Sequence, residues 1–152
     1  MGGMLPITIE LPERRDQALG RAKPKGLVVW GRGDDSQKLE LPVAVARALK
    51  KLQENDELEL PSSSAFLELL EHTSLACAWK RLLGLIEARD YSSREADEKL
   101  RLDGYGASVR QATLARAQSC HLIDDERFGE FFVRGKINAG WGRKRIQRGL
   151  EL

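Results

Sequence analysis

Cysteine is scarce in this chain: 152 residues hold two, Cys77 and Cys120. That is too few for a disulfide scaffold, and neither has a Cys-x-x-Cys neighbour, so a reduced, cytoplasmic setting is expected. Long apolar runs are missing too. No stretch approaches the ~20 apolar residues that cross a bilayer. The opening Met1-Gly2-Gly3-Met4-Leu5-Pro6 has neither a basic start nor an apolar core, so no signal peptide is expected. Proline at position 6 also breaks the myristoylation pattern. No membrane role is expected.

The reactive residues are equally thin. The two histidines, His72 and His121, stand isolated, which argues against zinc or a catalytic dyad. Asp124-Asp125-Glu126 has no further ligand at a suitable spacing, and Asp124 as a helix N-cap accounts for it. Gly31-Arg32-Gly33 lacks the helix and lysine that a phosphate loop needs. Arg32-Gly33-Asp34 reads as a turn. No nucleophile, acid–base pair or metal cluster assembles, so no enzyme and no cofactor are expected.

What is present is a foldable chain, 41% hydrophobic and 32% charged, sized for one compact domain or two small lobes. Its net charge of +2 is unevenly spread. From Arg134 to Leu152 there are six cations (Arg134, Lys136, Arg143, Lys144, Arg145, Arg148) and one anion, Glu151, which puts that stretch at +5 and the rest at −3. Such asymmetry points to a polyanion or an acidic groove as the partner of the C-terminal part.

Along the chain, residues 1–25 read as a flexible N-terminal segment with a short strand at Ile7–Leu11. A small β/α section over 26–61 follows. Leu27-Val28-Val29-Trp30 is a strand, Gly31–Asp35 a turn, and Lys38-Leu39-Glu40-Leu41 a half-buried return strand. Pro42 opens a helix whose apolar stripe is Val45, Leu49 and Leu52, and Asn55 ends it in a left-handed conformation. Glu57-Leu58-Glu59-Leu60 alternates as a third strand would. Pro61-Ser62-Ser63-Ser64 breaks the pattern and supplies N-caps.

From Ala65 onward the periodicity is helical. Ser92-Ser93-Arg94-Glu95 is a capping box and Gly104 ends its helix. Asp124 caps another helix, with Phe128, Phe131, Phe132 and Gly135 as its inner face. A shift of fifty residues lays Ala78, Leu82, Leu85, Tyr91, Ser92, Ala96 and Leu100 onto Phe128, Phe132, Gly135, Trp141, Gly142, Ile146 and Leu150. The expected fold class is therefore mainly α. A complete three-helix repeat spans 65–121 (helices Leu75–Arg89, Ser93–Asp103, Ala107–Cys120), and a partial second repeat spans 122–152.

Several ordered motifs sharpen this reading. They are Ser92-Ser93-Arg94-Glu95-Ala96-Asp97-Glu98-Lys99-Leu100, Gly104-Tyr105, Leu122-Ile123-Asp124-Asp125-Glu126-Arg127-Phe128, Phe132-Val133-Arg134 and Gly140-Trp141-Gly142-Arg143-Lys144-Arg145-Ile146. Over roughly Ala65–Leu152 the chain resembles the RecX family. The resemblance implies a non-enzymatic regulator that binds the RecA filament on DNA and lowers its ATPase, recombinase and coprotease activities, in DNA repair and the SOS response. It also implies three tandem three-helix units. Against that pattern the chain looks truncated after two helices of the second repeat, with Ile146 and Leu150 exposed and dimerisation through this open end as one consequence. Arg110, Thr113 and Ala117 replace larger apolar residues, and His121 replaces a common helix-ending glycine.

The candidate RecA- or DNA-binding residues are Arg134, Lys136, Trp141, Arg143, Lys144, Arg145 and Arg148. The basic run holds phosphates or acidic side chains, or else is an ordinary solvated helix face. Trp141 stacks a base or, more commonly for such a residue, fills a corner between helices. A direct single-stranded DNA-binding module is the alternative function.

Overall fold

The computed structural model describes residues 5–13, 23–129 and 147–148. Three short strands, β1 (Ile7–Glu10), β2 (Gly26–Trp30) and β3 (Gln37–Leu41), form an antiparallel sheet in the order β1-β2-β3. The register sets Ile9 opposite Val28 and Val28 opposite Leu39. One face of the sheet therefore carries Ile7, Ile9, Val28, Trp30, Leu39 and Leu41. Thr8, Glu10, Leu27, Val29, Lys38 and Glu40 lie on the other. The β2–β3 connection turns through a 3-10 turn at Gly33–Asp35, with Gly31 at φ 103° and Gly33 at φ 52°, backbone that glycine adopts without strain.

Helix α1 (Val43–Glu54) follows directly, with Pro42 as its N-cap residue, one place before the helix that the sequence lets it open. Val45, Ala46 and Leu49 are buried against the sheet, while Leu52 is only half-buried. The fit is close enough that a Cβ on Gly26 would collide with Ala46 Cβ. The left-handed residue after α1 is Asp56 (φ 55°); Asn55 sits at φ −90°. The expected third strand at 57–60 is absent: this stretch has no strand pairing, and Leu60 is buried while its carbonyl accepts from the Leu5 N–H at 2.8 Å. Its alternation records one-sided burial, which extended chain also produces.

Helix α2 (Ser63–Ala88) has 26 residues, starts well before the expected Leu75, and is about 39 Å long at 1.5 Å per residue. Ser62 caps it, its Oγ accepting from the Ala65 N–H at 3.2 Å. Helices α3 (Ser93–Asp103) and α4 (Ala107–Ser119) then pack on its C-terminal half. Two cores share α2. The first joins the sheet and α1 to Phe66, Leu70, Ala78, Leu100 and Tyr105, with the Trp30 and Phe66 rings 4.9 Å apart. The second gathers Leu82, Leu85, Tyr91, Ala96, Ala117 and Ile123. The expected mainly α fold with a small β-rich N-terminal section is what the chain adopts.

Candidate partner-binding surface

The three-helix unit is held at its turns. At the head of α3 the Ser92 Oγ accepts from the Glu95 N–H at 3.1 Å, and the Glu95 carboxylate accepts from the Ser92 N–H at 3.4 Å, as the capping box predicts. Gly104, at φ 109°, ends α3. Where the sequence departs from the family pattern, α4 uses its small residues to approach α2. Thr113 and Ala117 are buried, and the Thr113 hydroxyl donates to the Val109 carbonyl at 2.7 Å. Arg110 is held by Asp97 and by the Tyr105 carbonyl, at 2.8 and 2.7 Å.

Within this unit charge is balanced and largely engaged. Residues 63–121 contain eight Lys or Arg and eight Asp or Glu. Arg81 and Lys23 converge on Asp103 at 2.8 and 2.9 Å, Arg89 pairs with Glu95, and Arg101 with Glu98. The Arg89 pKa is raised by its bond to Glu95, and the same guanidinium lies 3.9 Å from the Tyr91 ring. Arg116 lies equally close over Trp79. The cationic excess of the chain therefore belongs to the segment after this unit.

That following segment is joined to the unit by a defined junction. The Asp124 carboxylate accepts from the Arg127 N–H at 3.0 Å, so Asp124 caps the helical residues 125–129 as expected. Asp125 reaches across the fold to the head of α3, accepting from the Ser93 N–H at 2.7 Å and the Ser93 hydroxyl at 2.6 Å. Arg127 pairs with Asp90 at 3.3 Å. Sequence reading missed both links, because partners more than thirty residues apart leave no local pattern.

Of the candidate binding residues, Arg148 is helical and exposed. Arg134, Lys136, Trp141, Arg143, Lys144 and Arg145 lie outside the described residues, as do Phe131 and, apart from Phe128, the second copy of the fifty-residue repeat. Among the described residues no group of three or more His, Cys, Asp or Glu could hold a metal ion. No helix among them is long and apolar enough to cross a membrane. Burial raises the pKa of the Cys77 thiol, which opposes its use as a nucleophile, while Cys120 is exposed.

Residues 124–151 match the second three-helix domain of RecX, beginning at the capping residue of the junction. Regulatory protein RecX of Stenotrophomonas maltophilia is 36% identical over 63 residues, 41% of this chain and 39% of that protein. Regulatory protein RecX of Legionella pneumophila is 31% identical over 74 residues, 49% of each chain. That of Actinobacillus pleuropneumoniae is 32% identical over 71 residues, 47% of each. Over these stretches the chain is similar to the RecX family. The matches span less than half of the length of these RecX relatives. No solved structure gives a significant match. These RecX relatives are named regulatory proteins. The junction at Asp124–Arg127 is where the described three-helix unit meets the stretch that matches the second three-helix domain of RecX.

Proposed function

We propose that this chain is a non-enzymatic cytoplasmic regulator that binds the RecA filament and lowers its ATPase, recombinase and coprotease activities. One observation carries the reading. The segment that matches the RecX second three-helix domain, 124–151, holds seven cations against five anions and so the whole of the chain's net charge of +2, and it is attached to a three-helix unit whose own charges cancel. A neutral scaffold holding one basic unit at a fixed junction suits a polyanionic nucleoprotein surface. Arg143, Lys144, Arg145 and Arg148, with Arg134, Lys136 and Trp141 nearby in sequence, are the contact residues of this reading. Phosphate or acidic side chains are what they would hold.

The test is RecA ATPase on single-stranded DNA, with the chain added in its native form and with Arg143, Lys144 and Arg145 changed to Glu. The native chain should slow hydrolysis, and the variant should require at least tenfold more protein for the same effect. Equal suppression by the variant would exclude the basic segment. The same charge cluster favours direct single-stranded DNA binding as a second reading. A DNA titration without RecA separates the two: tight, salt-steep binding supports the second, and negligible binding the first.

A further inference from the structure

We propose that two copies of this chain associate through β3, pairing antiparallel about Leu39 so that the sheet runs continuously through both. Among the described residues β3 is bonded on one side only, to β2. The opposite border of the sheet is closed by its own chain: the Gln53 side-chain amide donates to the Ile7 carbonyl at 2.9 Å, and the Leu5 N–H donates to the Leu60 carbonyl. An uncovered strand edge is a template for another strand.

Apolar surface accompanies that edge. Leu39 lies on the core face of the sheet opposite buried Val28, yet it is 40% exposed, because no strand among the described residues pairs with the outer edge of β3. Leu67 of α2, 48% exposed, lines the same groove, together with Leu41, Leu70 and Val109. A neighbouring strand would cover this groove with whatever side chain it sets opposite Leu39.

The charge pattern identifies the neighbour as a second copy. Lys38 and Glu40 flank Leu39 on the solvent face of the sheet, and both are exposed. In an antiparallel pair centred on Leu39, each Lys38 stands opposite the second copy's Glu40, and the two Leu39 side chains meet on the apolar face. Directly opposed residues approach to roughly 4.5–5.5 Å between Cβ atoms, within reach of an ion pair. The strand is its own complement, as an isologous two-fold interface requires. Edge lysines ordinarily discourage pairing; here Glu40 cancels that protection for this one partner.

Sedimentation equilibrium of the full chain up to millimolar concentration should show a monomer–dimer equilibrium that weakens with salt. Lys38→Glu and Glu40→Lys each place like charges in register and should each weaken association about tenfold or more. Both positions are exposed, so circular dichroism melts should match the native chain. Mixed one to one, the two variants should associate again, since the acidic strand of one then faces the basic strand of the other. A native chain that stays monomeric overturns the proposal, as does a dimer indifferent to both variants or a mixture that does not recombine. Protection of β3 amides from exchange only when RecA filament is added would assign this edge to that partner, which also overturns it.

Discussion

At His121 the backbone sits at φ 58°, a region that costs a residue with a side chain about 1–2 kcal/mol. The reason is the way α4 ends. The His121 N–H donates to the Gln118 carbonyl at 3.1 Å and the Leu122 N–H to the Ala117 carbonyl at 2.9 Å, which returns the chain sharply so that Ile123 reaches the second core. The other two such ends are built alike. After α1, Asp56 and Glu57 donate to Gln53 and Leu52; after α3, Gly104 and Tyr105 donate to Arg101 and Leu100. Only the third uses glycine. Replacing His121 with glycine should therefore raise stability by about 0.5–1 kcal/mol, the strain relieved exceeding the added freedom of the unfolded chain. A shift of the urea midpoint to higher concentration with an unchanged slope checks this; a lower midpoint would mean that His121 makes a contact worth more than the strain. Gly104 announced its turn in the sequence by residue type alone. Asp56 did not, because Asn55 is the better left-handed former by type, while the carbonyls within reach at the end of α1 select the next residue.

Among the elements, α3 was readable to the residue, because a capping box starts it and a glycine stops it. The other elements show what such local signals omit. Ser62 is legible as a cap, but the fifty-residue repeat covers only the half of α2 that packs in the three-helix unit, and the first three turns of the helix instead serve the sheet. Lys38–Leu41 alternates and is a strand, yet of its two leucines only Leu41 is buried, since burial at a sheet edge depends on a neighbour that sequence does not reveal. The junction at 124–127 is of this kind. Asp125 gives the Ser93 N–H, one of the unpaired donors at the start of α3, an acceptor from 32 residues away. Asp125→Ala removes both bonds to Ser93 and should cost about 1 kcal/mol. It should also speed amide exchange at 125–129 more than in α4. In a double-mutant cycle with Ser93→Ala, the loss in the double variant should fall short of the sum of the two single losses; strict additivity would mean that the hydroxyl–carboxylate bond has no energetic weight.

At the scale of the molecule, the two cores belong to one cooperative body, because α2 runs through both and the α3–α4 turn returns to the first. Asp103 holds Arg81 of α2 and Lys23, just upstream of β2, and Tyr105 inserts its ring into the core of the sheet. Burial raises the Tyr105 pKa well above its usual value of about 10, with the nearby Cys77 and Asp103 charges acting in the same direction. The sign follows from which state releases the proton first. Below about pH 10 the phenol is neutral in both folded and unfolded chains, and its full contribution to stability is present. Above that pH the unfolded chain ionises while the folded one keeps its proton, so stability falls, by up to about 1.4 kcal/mol for each further pH unit. Urea unfolding from neutral to strongly alkaline pH should show this decline, and Tyr105→Phe, which has no proton to release, should lack that part of it. Because Tyr105 ties the three-helix unit to the sheet, the decline should appear as one transition, with Trp30 and Trp79 fluorescence reporting from the two cores at the same midpoint. Separate midpoints would show that the long helix joins two independently stable bodies.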